Sequence, residues 1–275
     1  MTGGQEKSIV KRCPIIFDRT MPLFIIAFLA AAVFATSVLS GVFGMAGGMI
    51  LMAVLLGMMP VAAAMTLHAA IQLVSNGWRC ILWRKHIVWG VLPWYGCGIA
   101  IGFALMLTIR YVPDKAVTLI MMGSLPLLAM IGGKIVHLSI ANRIHTVAAA
   151  ALLTFIQMTS GVVGPLLDLL YNNASFTRKQ IISTKALTQT VMHLVRLTYF
   201  GALIPLLTKT GGWPEDLDIK ILPVFLIASI AGTSSAALIV HRISDHGFKS
   251  ASRVLIAAIS LYCLGNGIVV LVGNR

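Results

Sequence analysis

Two glycine-rich stretches decide the fold of this chain: SGVFGMAGG at residues 40–48 and SGVVGP at residues 160–165. They interrupt apolar stretches at about 21–59 and 145–173. A straight helix of ~40 residues would be ~60 Å long, about twice the thickness of the hydrocarbon layer of a membrane. Each stretch is therefore predicted to fold back as a helical hairpin, in which glycine permits the turn and proline starts the second arm.

The composition indicates a membrane protein. Of the 275 residues, 58% are hydrophobic and 11% are charged, with 21 Lys and Arg against 8 Asp and Glu, whereas soluble domains carry about 25% charged residues. Such a chain cannot cover a water-facing surface. This excludes an ordinary soluble enzyme, a disordered chain and, despite the net charge of +13, a nucleic-acid-binding domain.

Six further apolar stretches have the length of membrane-spanning helices, at about 61–83, 88–109, 115–135, 180–207, 219–240 and 251–272. Residues 1–20 form a basic N-terminal tail. It resembles the start of a signal peptide, but the apolar run after it is too long for one, so we expect the tail to be retained.

The two halves of the chain repeat one pattern. The break SGVFG matches SGVVG at an offset of 120 residues, and the polar residues of the helices that follow match at an offset of 117. This predicts two membrane repeats, at 21–140 and 141–275, each with one glycine-broken hairpin and three transmembrane helices. Since three crossings are an odd number, the second repeat is predicted to be inverted. A slight excess of Lys and Arg favours the face with the loops near 84, 140, 178 and 245 as the cytoplasmic one.

Polar side chains recur along the helix after each hairpin. Positions i, i+4, i+8 and i+11 share one face of an α-helix. This spacing defines a first stripe, of His68, Gln72, Asn76 and Arg79, and a second stripe, of Lys185, Gln189, His193 and Arg196. Because polar and charged groups are costly in hydrocarbon, both stripes are predicted to face one shared cavity.

Simpler roles compete with this interpretation. The arginines that end the stripes are expected to reach the membrane surface, because both fall late in their helices. The glutamines are equally consistent with packing between helices. We interpret Lys185 as functional, with or without an ion pair to Asp168, the one acid deep in an apolar segment. We interpret His68 and His193 as cavity residues rather than as core histidines.

The donors at the breaks and in the stripes suit an anion. The N-termini of broken helices present free N–H groups and a positive dipole end, and Lys185 adds a cation. Four cysteines and seven histidines show no metal-binding spacing, so neither a metal nor a cofactor is expected. The candidate substrate-binding residues are Ser40, Gly41, Gly44, His68, Gln72, Asn76, Ser160, Gly161, Gly164, Asp168, Lys185, Gln189 and His193.

The first break, the Ala- and Thr-rich helix with His68 and Gln72, and the second-half pattern GPLLD…TKAxxQxxxH together resemble the TauE/SafE family of sulfite and organosulfur anion exporters, in particular a subgroup with that second half. The resemblance spans most of residues 21–272. It implies an all-α, multi-pass carrier of two repeats in the bacterial inner membrane. The sequence departs from the family at Gly47-Gly48-Met49, where three consecutive glycines are common.

The sequence thus predicts a secondary transporter, not an enzyme, that exports a small anion such as sulfite, a sulfonate or another organic oxyanion by alternating access. Its expected partners are that anion, the lipid bilayer and, in a homodimer, a second copy of the chain, with no nucleic acid. One alternative is an intramembrane serine hydrolase with Ser160 as nucleophile and His193 as base. Another is a membrane partner protein that transports nothing.

Overall fold

The structure, a computed structural model, describes residues 22–43, 46–132, 138–172, 174–208, 212–214, 217–239 and 245–273. Within these ranges every regular element is a helix, as the fold class predicted. The predicted N-terminal tail at 1–20 and the candidate site residue Gly44 lie outside the described residues.

The helices follow the predicted order. The first half contains α1 (Leu23–Phe43), α2 (Ala46–Met58), α3 (Val61–Trp83), α4 (Leu92–Ile109) and α5 (Lys115–Gly132). The second half contains α6 (Arg143–Ser160), α7 (Gly164–Asn172), α8 (Arg178–Thr198), a π-helical turn (Tyr199–Leu203), α9 (Ile204–Thr208), α10 (Leu222–Ile239) and α11 (Asp245–Gly273). Short 3₁₀ turns lie at Arg84–His86, Trp89–Val91 and Ile219–Ile221.

Several helices have the length and apolar character to cross a bilayer, which makes this a multi-pass membrane protein. Among the described residues there are six such segments: Leu23–Val42, Trp89–Ile109, Lys115–Gly132, Arg178–Leu207, Ile219–Ile239 and Ala251–Gly273. The helix α3 is not among them, since its polar stripe lowers its mean hydropathy. Large apolar side chains exposed on the outer surface, such as Phe24, Leu238 and Val254, face the lipid.

Both hairpins form at the glycine-rich breaks. The second break begins at Gly161, which ends α6 with a left-handed φ of 77° and donates its N–H to the carbonyl of Gln157 at 3.0 Å. Glycine is favoured there because other residues are strained in that conformation. The chain then turns, and α7 starts at Gly164 with Pro165 in its first turn, where the missing N–H of proline needs no partner.

The second arms of both hairpins lie inside the helix bundle. Eight of the 13 residues of α2 are buried, and Leu167, Leu170 and Tyr171 of α7 are at most 1% exposed. These short arms pack among the longer helices rather than against lipid. The second break, at residues 161–163, therefore opens into the protein interior, as backbone without regular hydrogen bonding requires in a membrane.

The first arms of the hairpins pack against the opposite half of the chain. The helix α1 contacts α10 and α6 contacts α4, while α3 pairs with α8 and α5 with α11. Added Cβ atoms on Gly232 and Gly102 would lie 2.4 Å from the carbonyl oxygen of Phe34 and 2.5 Å from that of Ala151. Equivalent glycines thus allow equivalent close contacts. Exchanging the two halves of the chain preserves these helix pairs, which favours a duplicated unit. The inversion of the second repeat and the boundary at residue 140 stay predictions.

The helix ends that flank the two hairpins share one spacing. The first arms end at Phe43 and Ser160, and the helices after the hairpins begin at Val61 and Arg178, so that both pairs lie 117 residues apart. The second arms begin at Ala46 and Gly164, 118 residues apart, and the break sequences match at an offset of 120, so the spacing shifts by a few residues within the break. At the spacing of 117 residues, Gln157 corresponds to Ser40.

Candidate functional site

A small buried cavity lies where the two breaks meet the two stripes. Its volume is about 20 Å³, which accommodates about one water molecule. The residues that line it come from α1, α2, α3, α6, α8 and the second break: Ser40, Gly48, His68, Gln72, Asn76, Gln157, Gly161, Val162, Val163, Gly164, Gln189 and His193.

Three residues of the first stripe, Gln72, Asn76 and Arg79, are joined by hydrogen bonds along α3. The side-chain amide of Asn76 donates to the backbone carbonyl of Gln72 at 2.9 Å and approaches its Oε1 at 3.3 Å. Nη1 of Arg79 lies 3.5 Å from Oδ1 of Asn76. Gln72 and Asn76 are buried, so the amide groups of this stripe are held in place at the cavity wall.

His68 joins the first break to the second stripe. Its Nε2 lies 2.9 Å from the carbonyl oxygen of Gly48 on α2, and its Nδ1 is bonded to the guanidinium of Arg196 on α8. Because a guanidinium can only donate hydrogen bonds, Nδ1 of His68 must accept and Nε2 must carry the proton that Gly48 receives. This network fixes the tautomer and the ring orientation of His68.

Arg196 lies directly behind the cavity lining. It is fully buried and donates a second hydrogen bond to the carbonyl oxygen of Gly161 at the second break. The prediction that its side chain reaches the membrane surface is wrong. The reason is that the helix does not end nearby, since α8 continues through the π-helical turn and α9 to Thr208.

The charge of Arg196 has no carboxylate partner among the described residues, where Lys185 and Asp168 form the ion pair that the structure records. Its Nε–H is buried and has no hydrogen-bond acceptor. A buried, unpaired cation is costly and favours an anion nearby. The cavity wall itself supplies neutral groups, so the positive charges of Arg196 and of Arg79, whose Nη2 is also buried without an acceptor, set its electrostatics.

The second stripe and α6 complete the cavity wall. Nε2 of Gln157 lies 3.3 Å from Nδ1 of His193, and the rings of His193 and His68 face each other edge to face, with centroids 5.8 Å apart. Gln189, one turn earlier on α8, also lines the cavity. Side chains of both halves therefore meet in one volume, as the stripes predicted.

The structure brings together eight of the residues that the sequence singled out: Ser40, His68, Gln72, Asn76, Gly161, Gly164, Gln189 and His193. It places others elsewhere. A Cβ on Gly41 would lie 2.2 Å from the Cβ of Ala236, so Gly41 serves helix packing. Lys185 and Asp168 form an ion pair outside the cavity lining.

Ser160 also lies outside the cavity lining. Its hydroxyl is bonded to the carbonyl oxygens of Ile156 at 2.9 Å and Val162 at 2.8 Å, and among the described residues it has no hydrogen bond to His193. A serine bonded in this way stabilises the turn between α6 and α7. This geometry does not favour the hydrolase alternative, which needs the base beside the hydroxyl.

Sequence reasoning missed Arg196 as an interior cation and Gln157 as a cavity residue. The signal for Gln157 was the constant spacing of 117 residues, which relates it to Ser40. No comparable signal marked Gly48, whose role follows from its contact with His68. Within the described ranges, no cluster of three or more His, Cys, Asp or Glu side chains could hold a metal ion.

A comparison with protein-family models agrees with the family resemblance that the two breaks indicated. Residues 28–263 match the family model described as "Sulfite exporter TauE/SafE". This match includes both hairpins and all cavity residues. Searches of curated proteins and of solved structures gave no match.

Proposed function

The chain belongs to the TauE/SafE sulfite exporter family, and from this premise we propose that it is a secondary transporter in which the cavity between the two breaks binds a small oxyanion. The family is one of transporters rather than enzymes, and it implies a small anionic substrate and a lipid environment. Our proposal adds a site, a mechanism and a substrate class: sulfite, a sulfonate or another small organic oxyanion.

The observation that carries this proposal is the unpaired charge of Arg196. It lies behind a wall of neutral donors, bonded directly to the second break and through His68 to the first, with one N–H that has no acceptor. An oxyanion in the cavity would compensate the charge, and the amide groups of Gln72, Asn76 and Gln157 would supply hydrogen bonds to its oxygens. A cation would meet no carboxylate among the residues that line the cavity.

The size of the cavity supports alternating access. A volume of about 20 Å³ is too small for sulfite, which is several times larger than a water molecule. The helices around the cavity must therefore separate before the anion binds. Since α1 and α6 each pack against the opposite half, rocking of one half against the other would open the cavity to one side of the membrane at a time.

Transport into proteoliposomes tests this proposal. Purified protein is reconstituted, and uptake of radiolabelled sulfite is measured against an opposing gradient of sulfite, taurine-like sulfonates or short carboxylates. We expect saturable flux and counterflow for at least one of these oxyanions. Absence of flux for all of them, or single-channel currents in place of saturable counterflow, would contradict the proposal.

Three finer features belong to the same proposal. They are location in the bacterial inner membrane, export rather than uptake, and assembly as a homodimer. The first two rest on the family resemblance. Mass measurement of the detergent-solubilised protein tests the dimer, and a monomer mass at the concentration used for transport would refute it.

A further inference from the structure

We propose that Lys185 and Asp168 form a second, outer anion site, at which a passing oxyanion displaces Asp168 from Lys185 on its way between the cavity and the membrane surface. This inference rests on the proposed function and extends it to the route of the anion. It assigns the two charges a role outside the cavity.

The ion pair lies one helical turn from the cavity on two neighbouring helices. Asp168 follows the cavity residue Gly164 by four residues on α7, and Lys185 precedes the cavity residue Gln189 by four residues on α8. Four residues of α-helix correspond to about 6 Å. Because α7 leads into the loop from which α8 returns, both residues lie on the same side of the cavity.

A basic groove lies further along in the same direction. Its volume is about 600 Å³, and it is formed by the turn after α3 and the start of α8: Lys85, His86, Ile87, Thr177, Arg178, Lys179 and Gln180. None of these side chains is acidic. Arg178 precedes Lys185 by seven residues, so both lie on the same face of α8. Basic residues thus lead from the surface to the ion pair.

The exposure of Asp168 indicates that water reaches the pair. Its side chain is 44% exposed, whereas that of Lys185 is 13% exposed. A carboxylate in contact with lipid would be costly, so an aqueous opening explains its position better than a lipid-facing one. The ion pair then lies between the open groove and the closed cavity.

The pair is not a general requirement of the hairpin. The first half has His68 in the place of Lys185, and it has an apolar residue in the place of Asp168: Leu51 at a spacing of 117 residues, or Ile50 at the 118 residues that separate the starts of α2 and α7. The helices α2 and α3 therefore pack without an ion pair at this level. A purely structural ion pair, which would only tie the hairpin to the next helix, does not explain why the second half alone carries the two charges.

The two charges together suit a site of passage. Lys185 alone would hold an oxyanion tightly and slow its release. Asp168 competes for the same ammonium group, so that the anion binds only in passing. A transport route needs binding that is favourable enough for access and weak enough for departure. On the predicted cytoplasmic face, this site would admit an anion before the cavity opens.

Sulfite transport by three variants of the full chain tests the inference. Removing the cation in Lys185→Met should raise the half-saturation concentration about tenfold. Releasing the cation in Asp168→Asn should lower it several-fold and slow maximal flux, because the anion leaves more slowly. The neutral double variant Lys185→Met/Asp168→Leu keeps the contact between α7 and α8 apolar, so it should fold and behave as Lys185→Met does.

Lys220→Met serves as the control, since Lys220 is exposed on the turn before α10, outside the groove. The inference would be overturned if the folded double variant had a half-saturation concentration for sulfite within about twofold of the wild-type value. Loss of thermal stability in both single variants, with unchanged half-saturation, would also overturn it in favour of a tether. Wild-type protein without saturable flux would instead refute the proposed function itself.

Discussion

Arg196 on α8 donates a hydrogen bond to Nδ1 of His68 on α3, across the interface of the two halves. This contact joins Arg196 of the second stripe to the first stripe. His68 in turn donates a hydrogen bond to the carbonyl oxygen of Gly48 at the first break. Arg196 also holds Gly161 at the second break. The two breaks are therefore linked by two side chains, and the cavity lies between them.

Replacing His68 with alanine should destabilise this link. The carbonyl of Gly48 and one N–H of Arg196 would both lose their partners inside the protein, at a cost of about 2 kcal/mol. Thermal unfolding in detergent measures the change. His86→Ala, at the surface after α3, should have little effect, and equal unfolding temperatures for the two variants would argue against the link.

Adding a methyl group at Gly48 should fill the cavity without unfolding the protein. Its Cβ would lie 3.1 Å from Nε2 of Gln72 and 3.9 Å from Nε2 of His68. In Gly48→Ala we expect sulfite flux to fall several-fold, with stability within about 1 kcal/mol of wild type. Gly57→Ala is the matched control, because it lies on the same helix with nothing within 4 Å of its Cβ. Equal flux in both variants would place the substrate elsewhere.

A negative charge in the cavity wall should abolish anion transport. Gln157→Glu keeps the shape of the side chain beside His193 but compensates the positive field of Arg196. We expect sulfite flux near background, measured in proteoliposomes. Asn142→Asp makes the same change of amide to carboxylate on the same helix, at the exposed N-cap of α6, where aspartate is favoured. If Gln157→Glu transported sulfite as Asn142→Asp does, the cavity would not be the anion site.

The packing of α4 against α6 should depend on Gly102. A Cβ there would lie 2.5 Å from the carbonyl oxygen of Ala151, so Gly102→Ala must push the helices apart, at a cost of about 1–3 kcal/mol. Gly96→Ala, on the same helix with free space around it, should be neutral or slightly stabilising. Thermal unfolding distinguishes them, and the absence of any difference would contradict the close contact.

The hairpins and the meeting of the stripes could be predicted from the sequence. Glycine at a break and polar residues at helical spacing are local signals, and lipid leaves few alternatives for either. The spacing placed His68 and Gln189 on faces that meet in the structure. Local rules sufficed here because each signal depends on its own helix alone.

The interior position of Arg196 and the role of Gln157 could not be predicted in the same way. The surface position expected for Arg196 assumed a helix that ends soon after it, whereas a π-helical turn continues the helix to Thr208. Gln157 belongs to no repeated polar stripe, and the break sequences align Ser160 rather than Gln157 with Ser40. Which cation receives a carboxylate depends on the depth of α7 relative to α8, and that is set by tertiary packing.

The central claim is that the unpaired charge of Arg196 creates the anion site, and sulfite transport by Arg196→Gln tests it most directly. The variant removes the charge and keeps a donor for the carbonyl of Gly161. Arg253→Gln, on the exposed surface of α11, is the control. We predict that sulfite flux in proteoliposomes falls at least about a hundredfold in Arg196→Gln and stays at the wild-type level in the control. The account would be contradicted if folded Arg196→Gln protein had the same sulfite flux and the same half-saturation concentration as the wild-type protein.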